Sequence, residues 1–283
     1  MRSRVADVRR KLSAPFRLLR GRDLALHAAA VTFYAGIAVV PVALLAIWIT
    51  GLAAGADRVR RLTGQTIEAL PDAIGAPRAL SALIEAGLGL TPWLALASLL
   101  PATLYGEGLR RAFVSLNAPG GESMVGWRGR ILWLPLLAAA PALLLAMFLA
   151  LPSTSGLWIQ GGWYSVLGVV LSFLAAWLVL TPVVIWVFRY VAPGRPPWLA
   201  TVLIGSFTAA NLSGFLHGFV LFCSLPLDLG VPFGGFTEIG GTVAVGLWLY
   251  LFHVVLLAGF AATHAVEVHS ADESAKQTGR TAR

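Results

Sequence analysis

The sequence predicts an all-α fold, a polytopic transmembrane helix bundle of about six spans, on three observations. Only 12% of the 283 residues are charged while 58% are hydrophobic, against about 25% charged in a typical soluble domain. The apolar residues come in long blocks rather than in the alternation of a half-buried surface. The basic residues gather between those blocks. A mean hydropathy of +0.79 leaves too little polar surface to cover a water-soluble fold.

A bilayer core needs about 20 apolar residues per helix. Six stretches meet that need in order: Leu24–Ala54, Leu88–Tyr105, Ile131–Leu151, Trp163–Phe188, Trp198–Cys223 and Ile239–His264. The first follows a basic lead and precedes Ala54-Gly55-Ala56, as a cleaved signal would. Its apolar run is about twice the 7–15 residues of a signal h-region, so it is expected to stay as a span. The second is the shortest and carries Pro92 and Pro101. Pro41, Pro101, Pro141 and Pro182 lie inside spans and are expected to kink them.

Between the first two stretches, Asp57–Gly87 is too polar to cross. Val59, Leu62, Thr66 and Leu70 recur at helical spacing, as do Leu80, Leu83, Ile84 and Leu88 after Pro77, with Pro71 between the two sets. Two short amphipathic interfacial helices are predicted for residues 57–87. The chain thus divides into a basic tail (1–23), a six-span membrane domain (24–265) and a polar, disordered tail (266–283).

Seventeen of the 21 lysines and arginines fall on one side of this topology: the N-terminal tail, the segments after the second and fourth stretches, and the C-terminal tail. The positive-inside rule makes that side, and both termini, cytoplasmic. The net charge of +8 therefore sets topology and meets lipid headgroups, and no nucleic-acid partner is expected. The lone Cys223 forms no disulfide within the chain and no cysteine-based zinc cluster. It reads as a small buried hydrophobe. No metal and no cofactor is expected.

Polar groups inside a bilayer are costly and usually face the protein interior or a water path. At about 1.5 Å per residue, Asn211 and His253 come to similar depth, and His217 comes near Glu238. One polar seam of Asn211, His217, Glu238 and His253 is thereby predicted, either as a substrate or proton path or as hydrogen bonds that only hold the bundle. Arg110, Arg111, Arg128 and Arg130 follow the second stretch and precede the third, where they can meet a lipid phosphate; an ion pair of Glu107 with a nearby arginine is the simpler reading. Gly51-xxx-Gly55 and Gly214-xxx-Gly218 are small-xxx-small motifs that allow close helix packing, within one chain or in a homo-oligomer.

Three segments in order carry a resemblance. His27-Ala28-Ala29-Ala30-Val31-Thr32-Phe33-Tyr34-Ala35 is followed by Pro41. Arg189-Tyr190-Val191-Ala192-Pro193-Gly194-Arg195-Pro196-Pro197-Trp198 joins the fourth and fifth stretches. Gly240-Gly241-Thr242-Val243 precedes Leu247-Trp248-Leu249-Tyr250-Leu251. Over residues 15–265 this resembles the YihY/BrkB family of bacterial inner-membrane proteins. Two positions depart from its pattern: Ala261 stands where an acidic residue is common, and Phe236-Thr237-Glu238 stands for Tyr-Gly-Ser. The resemblance implies a protein of the bacterial cytoplasmic membrane, linked to envelope or lipid transport. Some members carry an old ribonuclease label, which the residues here do not support: five histidines scattered over the chain offer no metal or acid–base cluster. The expected function is a transporter or a lipid-handling protein. The alternative is a non-transporting scaffold or envelope assembly factor, and an enzyme is not expected.

Overall fold

The computed structural model describes residues 23–68, 76–117, 124–159, 162–194, 196–225 and 227–281. The described residues are all-α, with eight α-helices. They are α1 (Leu24–Ala54), α2 (Ala56–Glu68), α3 (Ala76–Leu88), α4 (Pro92–Asn117), α5 (Val125–Ile159), α6 (Gly162–Trp186), α7 (Trp198–Ser224) and α8 (Thr237–Thr281). The basic N-terminal tail lies outside the described residues.

Local signals explain most boundaries. Asp23 caps α1 by accepting the Leu26 amide at 3.0 Å, which satisfies one orphan donor of the first turn. Gly55 ends α1 at φ 87°, a left-handed value that a side chain would strain. α4 opens on Thr91 and Pro92, and proline at the first helical position loses no helix hydrogen bond. α6 widens into a π turn at Val187–Val191, where the Ala192 amide reaches back to the Val187 carbonyl at 2.9 Å.

Two expectations change in extent. The second apolar stretch ended at Tyr105, but α4 runs on to Asn117 through Glu107, Arg110 and Arg111. Those charges are partnered within the protein, so they need not end the helix. The polar tail after residue 265 extends α8 through Thr281. It is rich in helix formers, and its first glycine after Gly259 is Gly279, so nothing stops α8 earlier.

The six long helices form a closed ring. α1 packs on α4, α4 on α5, α5 on α6, α6 on α7 and α7 on α8, and α8 returns to α1. α2 and α3 form a satellite against α1 and α5, built on buried Ile47, Val59 and Ile84. Arg60 of α2 grips Glu85 of α3 through two hydrogen bonds of 2.9 Å. The Arg60 hydrogen bond, aided by its charge, holds the Glu85 carboxyl below its ordinary range against the opposing effect of desolvation.

The main core gathers Val31 of α1, Leu109 and Phe113 of α4, Phe188 after α6, and Leu257 and Phe260 of α8. Phe113 and Phe260 lie 4.3 Å apart, centroid to centroid. Outside, large apolar side chains are exposed along whole faces: Trp93, Leu96 and Leu100 of α4, Leu178 of α6, Leu203 and Phe207 of α7. Water would not tolerate such faces; acyl chains would. Among the described residues, four helices are long and apolar enough to cross a membrane: Leu24–Ala54, Gly162–Val191, Trp198–Cys223 and Thr237–Val266.

Candidate functional site

The buried polar groups fall into separate clusters. The first sits where the helix ring closes. His253 of α8 is fully buried, with Thr32 Oγ1 of α1 3.1 Å from Nδ1 and the Tyr105 hydroxyl of α4 2.9 Å from Nε2. The Thr32 hydroxyl donates to the Ala28 carbonyl at 2.8 Å, so its oxygen accepts from Nδ1–H. Nε2 then accepts from Tyr105. Donors and acceptors run in one direction, and the chain Tyr105–His253–Thr32–Ala28 is complete with one ring proton. Tyr105 also stacks edge-on against Trp133 of α5 at 4.8 Å, so four helices meet at this point.

The second cluster joins α6 to α7. His217 Nδ1 donates to the Ser213 carbonyl at 2.8 Å, and Nε2 lies 2.9 Å from the Ser172 hydroxyl. The Ser213 hydroxyl donates to the Phe173 carbonyl at 2.9 Å, and Trp177 Nε1 to the Ser206 carbonyl at 3.0 Å. Every bond here is either along one helix or across this one pair.

The seam expected from the sequence does not form, because its members face different ways. Asn211 is exposed and donates to the Phe207 carbonyl of its own helix at 2.8 Å. His217 faces α6 and His253 faces α1 and α4. Glu238 is exposed in the first turn of α8, where a carboxylate suits the helix dipole. Depth along a helix says nothing of azimuth, and azimuth separates these residues. At about 100° per residue, Asn211 and His217 point about 120° apart around α7. The partners Thr32, Tyr105, Ser172 and Ser213 went unassigned. Thr32 lies inside the Ala-rich motif of the first helix, which could have flagged it.

An open groove of about 530 Å³ lies among α6, α7 and α8. Phe173, Ala210, Gly214, Phe215, Gly218 and Trp248 line it, with Asn211 as its one polar side chain. Gly214 is exposed, while Gly218 is half-buried against the Trp248 ring of α8. A methyl at Gly214 would touch only Phe173, at 3.9 Å. Gly51 packs against Leu88 of α3, whereas Gly55 is the α1 terminus. Another close glycine crossing joins α4 to α5 backbone to backbone: Gly106 of α4 lies against the Gly129 carbonyl and Trp133, and Gly129 lies against the Gly106 carbonyl.

The four arginines also separate. Arg110 is buried and its Nη1 donates to the Val191 carbonyl at 2.6 Å. It neutralises the carbonyl end of α6 and is not presented to a lipid. Arg111 and Arg130 converge on Glu107 instead. Arg111 Nε and Nη2 each lie 2.8 Å from Oε1, and Arg130 Nε lies 2.7 Å from Oε2. They line a second pocket of about 520 Å³ with Met124, Gly126 and Trp127. Arg130 lies 6.0 Å from the Trp127 ring centre. Arg128 is exposed and does not line that pocket.

The two departures from the expected family pattern fit this geometry. Ala261 is buried, where an unpaired carboxylate would be costly. Phe236 to Glu238 form the exposed entry to α8. No curated protein and no solved structure matches the chain. The family described as virulence factor BrkB matches residues 16–283, nearly the whole chain, and this membrane protein belongs to that family.

Proposed function

We propose that the chain is a six-span protein of the bacterial cytoplasmic membrane, with both termini inside, that handles membrane lipid at its outer surface. On this reading α4 and α5 are the two further spans. α4 carries its charges only in its second half, beyond the apolar stretch, and pairs them within the protein. The side holding Arg110, Arg111, Arg128, Arg130 and Arg189 is the cytoplasmic one.

One observation carries the lipid reading: the polar groups around His217 and His253 are bonded to their neighbours, while the groove among α6, α7 and α8 is mostly apolar and opens outward. Both ring nitrogens of His253 and of His217 are occupied by neighbouring groups. A polar solute would have to break those bonds to pass. The groove beside Gly214 and Gly218, by contrast, offers aromatic and methylene surface of a kind that suits an acyl chain. The close α4–α5 crossing at Gly106 and Gly129 favours a second reading, a rigid scaffold that moves nothing.

Lipid analysis of the separated membrane leaflets and envelope layers in a deletion strain tests the first reading. Altered phospholipid distribution, restored by the wild-type chain and not by Gly214→Leu, is expected. The leucine fills the groove without touching the interior. A scaffold predicts that Gly214→Leu restores whatever the deletion lost. Unchanged lipid in the deletion strain would overturn lipid handling.

A further inference from the structure

The pocket at the junction of α4 and α5 has a charge and a shape that specify a ligand. Glu107 is nearly buried, with its side chain 10% exposed, and it holds two guanidinium groups at once. One carboxylate against two arginines leaves the cluster at +1 among the described residues. Each guanidinium has five N–H donors in a planar fork. Arg111 spends two and Arg130 one on Glu107, so each retains donors for a second anion. The carboxylate fixes both forks, which lowers the ordering cost of a further partner. Planar forks of this kind match phosphate oxygens in bidentate fashion.

The surface next to the pocket indicates where that phosphate comes from. Trp127, Ile131 and Leu134 are all exposed and lie at i, i+4 and i+7 of α5. They form an apolar stripe that starts at the pocket and runs toward the middle of the helix. Trp127 at its head has the amphipathic ring favoured at headgroup level. A free phosphate would have no use for the stripe. A molecule with a phosphate at one end and an acyl chain at the other would cover both. A phosphodiester with one negative charge would also bring the cluster to neutrality.

We infer that Arg111 and Arg130, clasped by Glu107, bind the phosphate of an anionic glycerophospholipid whose acyl chain lies along Trp127, Ile131 and Leu134. This inference deepens the lipid-handling reading by naming the lipid class and one place where it docks.

Native mass spectrometry of the full-length protein in detergent, delipidated and then mixed with phosphatidylglycerol, tests it. The wild-type chain is expected to retain one phosphatidylglycerol, and to retain zwitterionic phosphatidylcholine far less. Arg111→Gln/Arg130→Gln is expected to weaken retention about tenfold or more, since hydrogen bonds to charged groups are individually strong. Arg61→Gln, which removes one exposed arginine from α2, is expected to change nothing. Helical circular dichroism and the melting midpoint establish that each variant is folded. Ile131→Ser keeps every charge, and it is expected to reduce retention of long-chain lipid more than that of a short-chain phosphatidylglycerol.

Equal retention by a folded double variant, or equal retention of the two headgroups by the wild type, would overturn the inference. Binding of inorganic phosphate with no lipid retained would overturn the lipid assignment and leave a soluble phosphate as the ligand. Loss of lipid in the double variant together with unchanged leaflet lipids in the deletion strain keeps the pocket and rejects lipid handling. The reverse pair of results keeps lipid handling and rejects the pocket.

Discussion

At the scale of single residues, hydrogen-bond direction decides what the buried histidines do. Thr32 has one hydroxyl proton, and the Ala28 carbonyl takes it. That fixes the direction of the whole His253 chain and leaves no donor pointing to open space. Interhelical hydrogen bonds in membranes average about 0.6 kcal/mol. Tyr105→Phe is therefore expected to destabilise the detergent-solubilised protein by about 0.6 kcal/mol while leaving lipid handling intact. Thermal melts with leaflet analysis of a complemented strain check both halves. A stable variant that lost its function would make this chain a working relay instead. Gly129→Val presents the opposite case. Its side chain must enter the backbone of α4 at Gly106, and overpacking of that kind costs about 1–3 kcal/mol. Poor folded yield is expected.

These residues also show what was legible beforehand and what was not. Lone histidines in greasy segments stand out in a sequence, and both proved to be buried or half-buried hydrogen-bond centres. Their partners are serines, a threonine and a tyrosine, which are ordinary in such segments and announce nothing. The arginine cluster was visible as four residues. Its division into a helix-end partner, Arg110, and a carboxylate-clasped pair, Arg111 with Arg130, depends on which way α4 turns against α5. Glycine spacing is ambiguous for a similar reason: Gly214 and Gly218 share a face, but α8 meets it only at Gly218, through the Trp248 ring.

At the scale of elements, the reading was most accurate where hydrophobic length dominates. The first predicted stretch coincides with α1, and the fourth and fifth come within a few residues of α6 with its π turn and of α7. It fell short where tertiary pairing lets charges continue a helix, as in α4. The satellite α2–α3 pair is expected to depend on pH. Glu85 sits below its ordinary value of 4.5 because Arg60 stabilises its charged form. The pair therefore contributes fully above that value and is lost as pH falls through the lowered one. Hydrogen exchange over residues 56–88 is expected to speed up under acid and in Arg60→Ala at neutral pH, with α6 to α8 unaffected. Equal rates in wild type and variant would show that apolar contacts around Ile47, Val59 and Ile84 hold the satellite alone.

At the scale of the whole molecule, the ring of six helices groups Phe113, Phe188 and Phe260 where the ends of α4 and α6 meet the later turns of α8. The α6–α7–α8 side is less covered, and the outward groove lies there. An apolar exterior, occupied polar centres and an outward-facing cavity together suit a protein whose substrate arrives from the bilayer. Purified protein in sealed vesicles carrying a trace of fluorescent phospholipid and an entrapped small polar dye tests this most directly. Lipid handling predicts that the labelled lipid redistributes between leaflets faster than in empty vesicles, that Gly214→Leu slows it, and that the dye stays inside. Dye escape with no lipid movement would contradict the account, because it would require a polar path through the centre that His217 and His253 close.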